Sequence, residues 1–137
     1  MRIKIDRTTV ILLVLIFLAI TFFFNRFLIR KEIEEDKVKK KLYTIGRILS
    51  YHNGFKTSNK LMYEYVNKKG EIKEGGHSLS GFLAKKNEEY FEKEFFGRCF
   101  LVEFNTEYSW YNKLLINKPV PDSLYSCTNC YWDKIPW

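Results

Sequence analysis

Histidine, cysteine, proline and alanine are scarce in this 137-residue chain: two His, three Cys, three Pro and two Ala. A four-ligand zinc site needs more than Cys127 and Cys130 with a distant Cys99, His52 and His77, and no second paired motif supplies the rest. No glycine-rich phosphate loop, HExxH motif, nucleophile elbow or discriminating pair of carboxylates occurs. A Ser-His-Asp assembly therefore has no sequence context, and no metal, cofactor or catalytic residue is assigned. His52 and His77 lie near glycines around a β-hairpin and read as exposed loop positions, although either could join Glu103 or Asp122 in a polar site. No internal repeat is present, and the low alanine beside abundant Lys, Ile, Asn, Phe and Tyr matches an AT-biased genome.

A concentrated basic field is also missing from most of the chain. Residues 42–137 carry thirteen Lys/Arg against eleven Asp/Glu, whereas residues 1–41 carry ten against five. The formal charge of +7 thus resides mainly in the N-terminal part. The remainder lacks the electrostatic footprint of a nucleic-acid partner.

What the chain does have is one long apolar run, TTVILLVLIFLAITFFFNRFLI over residues 8–29. Its 22 residues make about 33 Å of helix, enough to cross about 30 Å of hydrocarbon, with Arg26 directing its guanidinium toward the headgroups. The bilayer is thus the first expected partner. A secretory signal shares this layout, but the run ends in bulky TFFFNRF without the small residues that cleavage requires. An uncleaved signal-anchor is expected, preceded by a tail over residues 1–7. Arg2, Lys4 and Arg7 on one flank nearly balance Arg26, Arg30 and Lys31 on the other, with Lys37 to Lys41 beyond. The balance leans toward an N-terminus inside a bacterial inner membrane and a domain on the periplasmic side. Residues 30–41, RKEIEEDKVKKK, contain helix formers and no Gly or Pro, so the helix is expected to continue as a charged stalk.

The 19 aromatic residues among positions 42–137 can supply the core of one small domain, here bounded at 42–123. LYTIGRILSY reads as a strand with Gly46 at a twist, and KLMYEYVN as another, with Leu61, Tyr63 and Tyr65 on one face and Met62, Glu64 and Val66 on the other. Asn67 to Gly70 makes the turn of a hairpin whose return strand begins at Glu71 and is broken by Gly75 and Gly76. The spacing of Leu79, Phe82, Leu83, Tyr90, Phe91 and Phe95 predicts a helix over residues 79–95, with a polar interruption at Lys86 and Asn87. RCFLVEFN and KLLIN follow as strands, and Pro119 and Pro121 are expected to end regular pairing. The fold class expected is α+β: a transmembrane helix, then a small antiparallel β-rich domain or partly open barrel with one helix.

YTIGRI, MYEYVNKKG, GRCFLVEFN and NKLLINKPVPDS, in this order behind a membrane segment, resemble a family of small uncharacterised bacterial single-pass membrane-anchored proteins with a compact β-rich domain. The likeness covers residues 43–123 and implies a compact domain on an anchor, with no catalytic residues to carry over. The charged LAKKNEEYFEKEFF segment and the CTNC tail depart from the family pattern.

Cys127 and Cys130 sit in the C-terminal tail, residues 124–137. Their CxxC spacing fits a structural disulfide, a redox pair or half of a metal site. Cys99, inside a strand, reads as a packing residue. Tyr63 and Tyr65, with Tyr108, Trp110 and Tyr111, are candidates for an aromatic binding surface. The functional expectation is a membrane-tethered binding or accessory protein of the bacterial cell envelope with a protein partner. The alternatives are an anchored thiol-disulfide active protein using Cys127 and Cys130, and an immunity or assembly factor that binds one protein.

Overall fold

The computed structural model describes residues 6–137, so Arg2 and Lys4 of the N-terminal flank lie outside the described part. The chain divides into a helical unit ending at Lys39 and a second unit, Lys40–Trp137.

Helix α1 runs without interruption over Arg7–Lys39, 33 residues, or about 50 Å. It contains no Gly or Pro, and a helix satisfies its own backbone hydrogen bonds where no water is present. None of its residues is buried; Phe17 and Phe23 are 70% and 71% exposed. The apolar part has a mean hydropathy of 2.5, making this helix long and apolar enough to span a membrane. Its single hydroxyl in the middle of the run is satisfied, since Thr21 Oγ1 donates to the carbonyl of Phe17 at 2.8 Å. The stalk expected after Ile29 is the same helix. There Glu35 and Lys39 stand 3.9 Å apart with both side chains exposed, a pair that adds little stability.

The second unit is an α+β fold built on a five-stranded antiparallel sheet. Strands β1 (Lys41–His52), β2 (Lys60–Val66) and β3 (Ile72–Ser78) form a meander; helix α2 (Glu88–Glu94) intervenes; β4 (Cys99–Asn105) and β5 (Asn112–Pro119) then pair on the other side of β1. The resulting order is β3-β2-β1-β4-β5. The expected turn forms at residues 67–70, where Gly70 takes a φ of 79° and Asn67 accepts from the backbone of Lys69 and Glu71.

Register decides which aromatic residues enter the core. Ile48 faces Tyr63, Thr44 faces Val102, and Val102 in turn faces Leu114. Paired residues share a face, so Ile48, Leu61, Tyr63, Tyr65, Phe100, Val102, Phe104 and Leu114 converge into one cluster. β4 is central in this packing, with Cys99 and Leu101 buried on its other face as well.

Three expectations need correction. Strand β3 runs through Gly75 and Gly76 instead of breaking there, because Tyr63 lies directly over Gly75 and a side chain would collide with its ring and with Asn112. Glycine is here the residue that permits pairing. The helix predicted over residues 79–95 shrinks to a single 3₁₀ turn at Leu83–Lys85 and the seven residues of α2. Gly81 adopts φ 58°, and Asn87 starts α2 afresh by accepting from the backbone N–H of Tyr90. Lys86, read as an interruption, lies over the rings of Phe82 and Tyr90 at 4.2 and 4.8 Å. Finally, Pro119 still pairs with Phe100 beyond a register shift, on the edge strand β5, where proline is tolerated.

The sheet is open, but its edge strands lean together: Tyr63 of β2 reaches past Gly75 of β3 to donate to Asn112 Oδ1 of β5 at 2.6 Å. His77 of β3 is held below its ordinary pKa first by burial and then by Lys113 of β5. Phe91 of α2 is fully buried and stacks on Tyr51 with ring centroids 5.1 Å apart.

Candidate functional site

The five aromatic surface candidates separate into two groups. Tyr63 and Tyr65 are core residues, 0% and 3% exposed, and this corrects the expectation that they present a surface. The alternation of β2 places them on the same face as Leu61, which is the inner face. Burial, followed by the neighbouring Tyr65, pushes the Tyr63 phenol well above its ordinary pKa, so it acts as a neutral hydrogen-bond donor.

Tyr108, Trp110 and Tyr111 occupy the β4–β5 connection. Trp110 is 63% exposed and has Tyr108 and Tyr111 on either side, at ring-centroid distances of 5.9 and 6.3 Å. The loop is held in shape from both ends. Asn105 Oδ1 accepts from the backbone N–H groups of Glu107 and Tyr108 at 2.8 and 3.0 Å, and Tyr111 donates its hydroxyl to Glu103 at 2.9 Å. Lys41 stands 3.7 Å from the same carboxylate, and Lys40 pairs with Glu107 at 2.6 Å. Burial and then the bond to Glu103 raise the Tyr111 pKa.

Cys127 and Cys130 form a disulfide, and Cys99 is a buried free thiol whose pKa is raised by burial and lowered in part by Arg47. A cavity of about 210 Å³ lies between Arg47, Glu64, Cys99, Tyr125, Cys127 and Thr128. Cys127 does not begin a helix: the residues that follow it form only an isolated bridge. It therefore lacks the helix dipole that commonly lowers a reactive thiol's pKa. Among the described residues no group of three or more His, Cys, Asp and Glu is placed to hold a metal ion. His52 is exposed and His77 is half-buried in β3, away from the loop position expected for it.

The C-terminal tail packs on the sheet, and its attachment was not legible in the sequence. β2 pairs with β1 only from Gly46 onward, while β4 accompanies β1 from Lys41. On the side that β2 leaves vacant, Tyr43 exchanges backbone hydrogen bonds with Trp132 at 2.8 and 3.0 Å. The hydroxyl of Thr44, a residue 3% exposed, donates to the carbonyl of Cys130 at 3.0 Å. Tyr131 turns inward, its ring 6.2 Å from that of Phe104 and its hydroxyl donating to the carbonyl of Asn67 at 2.6 Å. The one available signal was an aromatic residue directly after a cysteine pair, which carries no periodicity.

The disulfide closes a four-residue loop beside these bonds, a constraint that chain entropy values at about 2 kcal/mol. A C127S/C130S chain is expected to exchange the amide protons of Tyr43 and Trp132 about 25-fold faster by NMR. Unchanged protection would mean that the tail is held without the crosslink.

No protein-family model, curated protein or solved structure matches this chain.

Proposed function

We propose that this chain is a single-pass, membrane-tethered binding protein of the bacterial cell envelope, whose sheet domain engages a protein partner on the periplasmic side. The observation that carries the reading is Trp110: a large aromatic residue, 63% exposed, on a loop fixed by Asn105 and Tyr111. Tryptophan and tyrosine on rigid supports are typical binding anchors, because they bring large apolar area with little conformational entropy left to lose. The helix Arg7–Lys39 supports the tether by its length and apolarity. The bacterial setting follows from the family resemblance, and the periplasmic side from the dilution of the basic residues after the span by Glu32, Glu34, Glu35 and Asp36.

Thiol-disulfide activity receives less support, since Cys127 stands at no helix start and Cys99 is buried. An immunity or assembly factor is the form this binding takes when there is one tight partner, and identifying the partner distinguishes it from a general accessory protein.

The test is capture in the native membrane. With a photo-crosslinking residue at Tyr108 of the full-length protein, one dominant protein adduct is expected, reduced at least about tenfold when Trp110 is also replaced by alanine, as for a binding hot spot. Adducts that are heterogeneous and indifferent to W110A would overturn the proposal.

A further inference from the structure

The tail is seated on the sheet in the manner of a bound peptide. It adds a strand position to a sheet edge through main-chain hydrogen bonds, and it places one side chain in a recess, the two components of recognition by strand addition. The edge is that of β1 over residues 41–45, which β2 leaves uncovered. Its main-chain contact is the reciprocal Tyr43–Trp132 pair. The recess takes Tyr131, with Phe104 for the ring and the Asn67 carbonyl for the hydroxyl.

Two features set this seat apart from ordinary core packing. First, the occupant is less deeply set than the groups it covers: with the tail in place Tyr43, Thr44 and Phe104 are 5%, 3% and 2% exposed, whereas no residue of the tail segment 121–137 is buried. Second, the occupant forms no strand of its own, since Tyr43–Trp132 is an isolated bridge. Its replacement by another extended segment would leave the five-stranded sheet intact.

We propose that the β1 edge over residues 41–45, with the tyrosine recess beside it, is a docking site for an extended, tyrosine-bearing segment of a partner protein, and that residues 130–132 occupy it as an internal surrogate until such a segment displaces them. The segment is specified by what the surrogate supplies. It needs a tyrosine, because phenylalanine would lose the 2.6 Å hydroxyl bond to the Asn67 carbonyl, which then keeps only the turn bond from Gly70 N–H. The next residue needs a free backbone N–H and C=O to pair with Tyr43, which excludes proline there. The residue before the tyrosine must offer its carbonyl to the Thr44 hydroxyl. This inference rests on the binding reading above and names a second surface for it, separate from Trp110.

The test uses the full-length chain in detergent micelles and a fluorescent peptide copying residues 126–137 with serine at both cysteine positions. A Y131A chain, whose own tail no longer fills the recess, is expected to bind the peptide saturably and about tenfold or more tighter than the wild type, because the competition from the tail is relieved. The same peptide with alanine in place of its tyrosine is expected to show no saturable binding. A W132P chain, which lacks the N–H that the Tyr43 carbonyl accepts, gives an independent opening of the seat should Y131A fail to fold. Folded variants, judged by near-ultraviolet circular dichroism, that bind no better than wild type would overturn the proposal, as would equal binding of the alanine peptide. Wild-type dimers crosslinked through exchanged tails would instead assign the seat to a second copy and overturn the partner. Failure here with a successful Trp110-dependent capture removes only the docking seat; failure of the capture removes the binding reading itself.

Discussion

Replacing Phe91 by alanine is expected to destabilise the sheet domain by about 3–5 kcal/mol, the range for removing a fully buried phenylalanine. Phe91 is 0% exposed, and it is the only buried residue of α2. Its ring stacks on Tyr51 and meets Tyr90 and Phe95 at centroid distances of 5.4 and 5.7 Å, while Phe95 in turn stacks on Phe100 of β4. A helix of seven residues is too short to hold itself together in water, so α2 persists through this ring. Thermal unfolding followed by near-ultraviolet circular dichroism should show a midpoint lower by about 15 °C or more. F82A provides the control: Phe82 is 68% exposed, and its loss should change stability by no more than about 0.5 kcal/mol. An F91A domain within about 1 kcal/mol of wild type would mean that α2 is not held by its apolar face.

Gly75→Val is expected to cost about 3 kcal/mol, combining overpacking with the loss of a part-buried hydrogen bond. A Cβ at Gly75 would run into Asn112 Oδ1 and the Tyr63 hydroxyl, the two ends of the 2.6 Å bond that ties β2 to β5 across β3. A valine must push Tyr63 out of the core or push β5 away from β3. Valine is otherwise a strong strand former, so propensity alone predicts stabilisation at this position. Urea unfolding separates the two views. A rise in the midpoint would show that the edge strands are not in close approach, and a fall with an unchanged m-value would support the packing. Gly76→Val at the adjacent position is a useful comparison, because its Cβ meets only the flexible ends of Lys60 and Met62 at 3.4 and 3.5 Å.

The same two glycines show why part of the fold was hidden. Read along the chain, Gly75-Gly76 is a strand breaker, and nothing nearby announces that Tyr63, twelve positions earlier, needs a neighbour without a side chain. The helix over residues 79–95 failed for a related reason. Its apolar spacing was real, and Phe91 and Leu79 are buried, but Gly81 and the cap at Asn87 divided the segment into pieces that bury those residues from different backbone directions. The alternation in KLMYEYV, by contrast, translated directly, because a period of two admits one inner face once the strand is formed.

For the candidate site the division is sharper. Tyr63, Tyr65, Tyr108, Trp110 and Tyr111 are the same kind of residue in the sequence, and only register separates core from surface. The seat of Tyr131 joins residues 64 positions apart, beyond the reach of any local pattern.

By itself the sequence determined the elements whose signal is local and one-dimensional: a continuous apolar run long enough for a bilayer, a charged continuation without helix breakers, the hairpin turn at Gly70, and the alternation of β2 and β4. Each of these depends on spacing along the backbone, which the chain carries whatever it packs against. The tertiary structure alone decided that β3 passes through its glycines, that Tyr63 ties β2 to the edge strand β5, that Trp110 and not Tyr63 faces outward, and that the tail completes the edge of β1. Those features depend on which distant backbones approach one another, and close approach is set by the register and twist of the whole sheet.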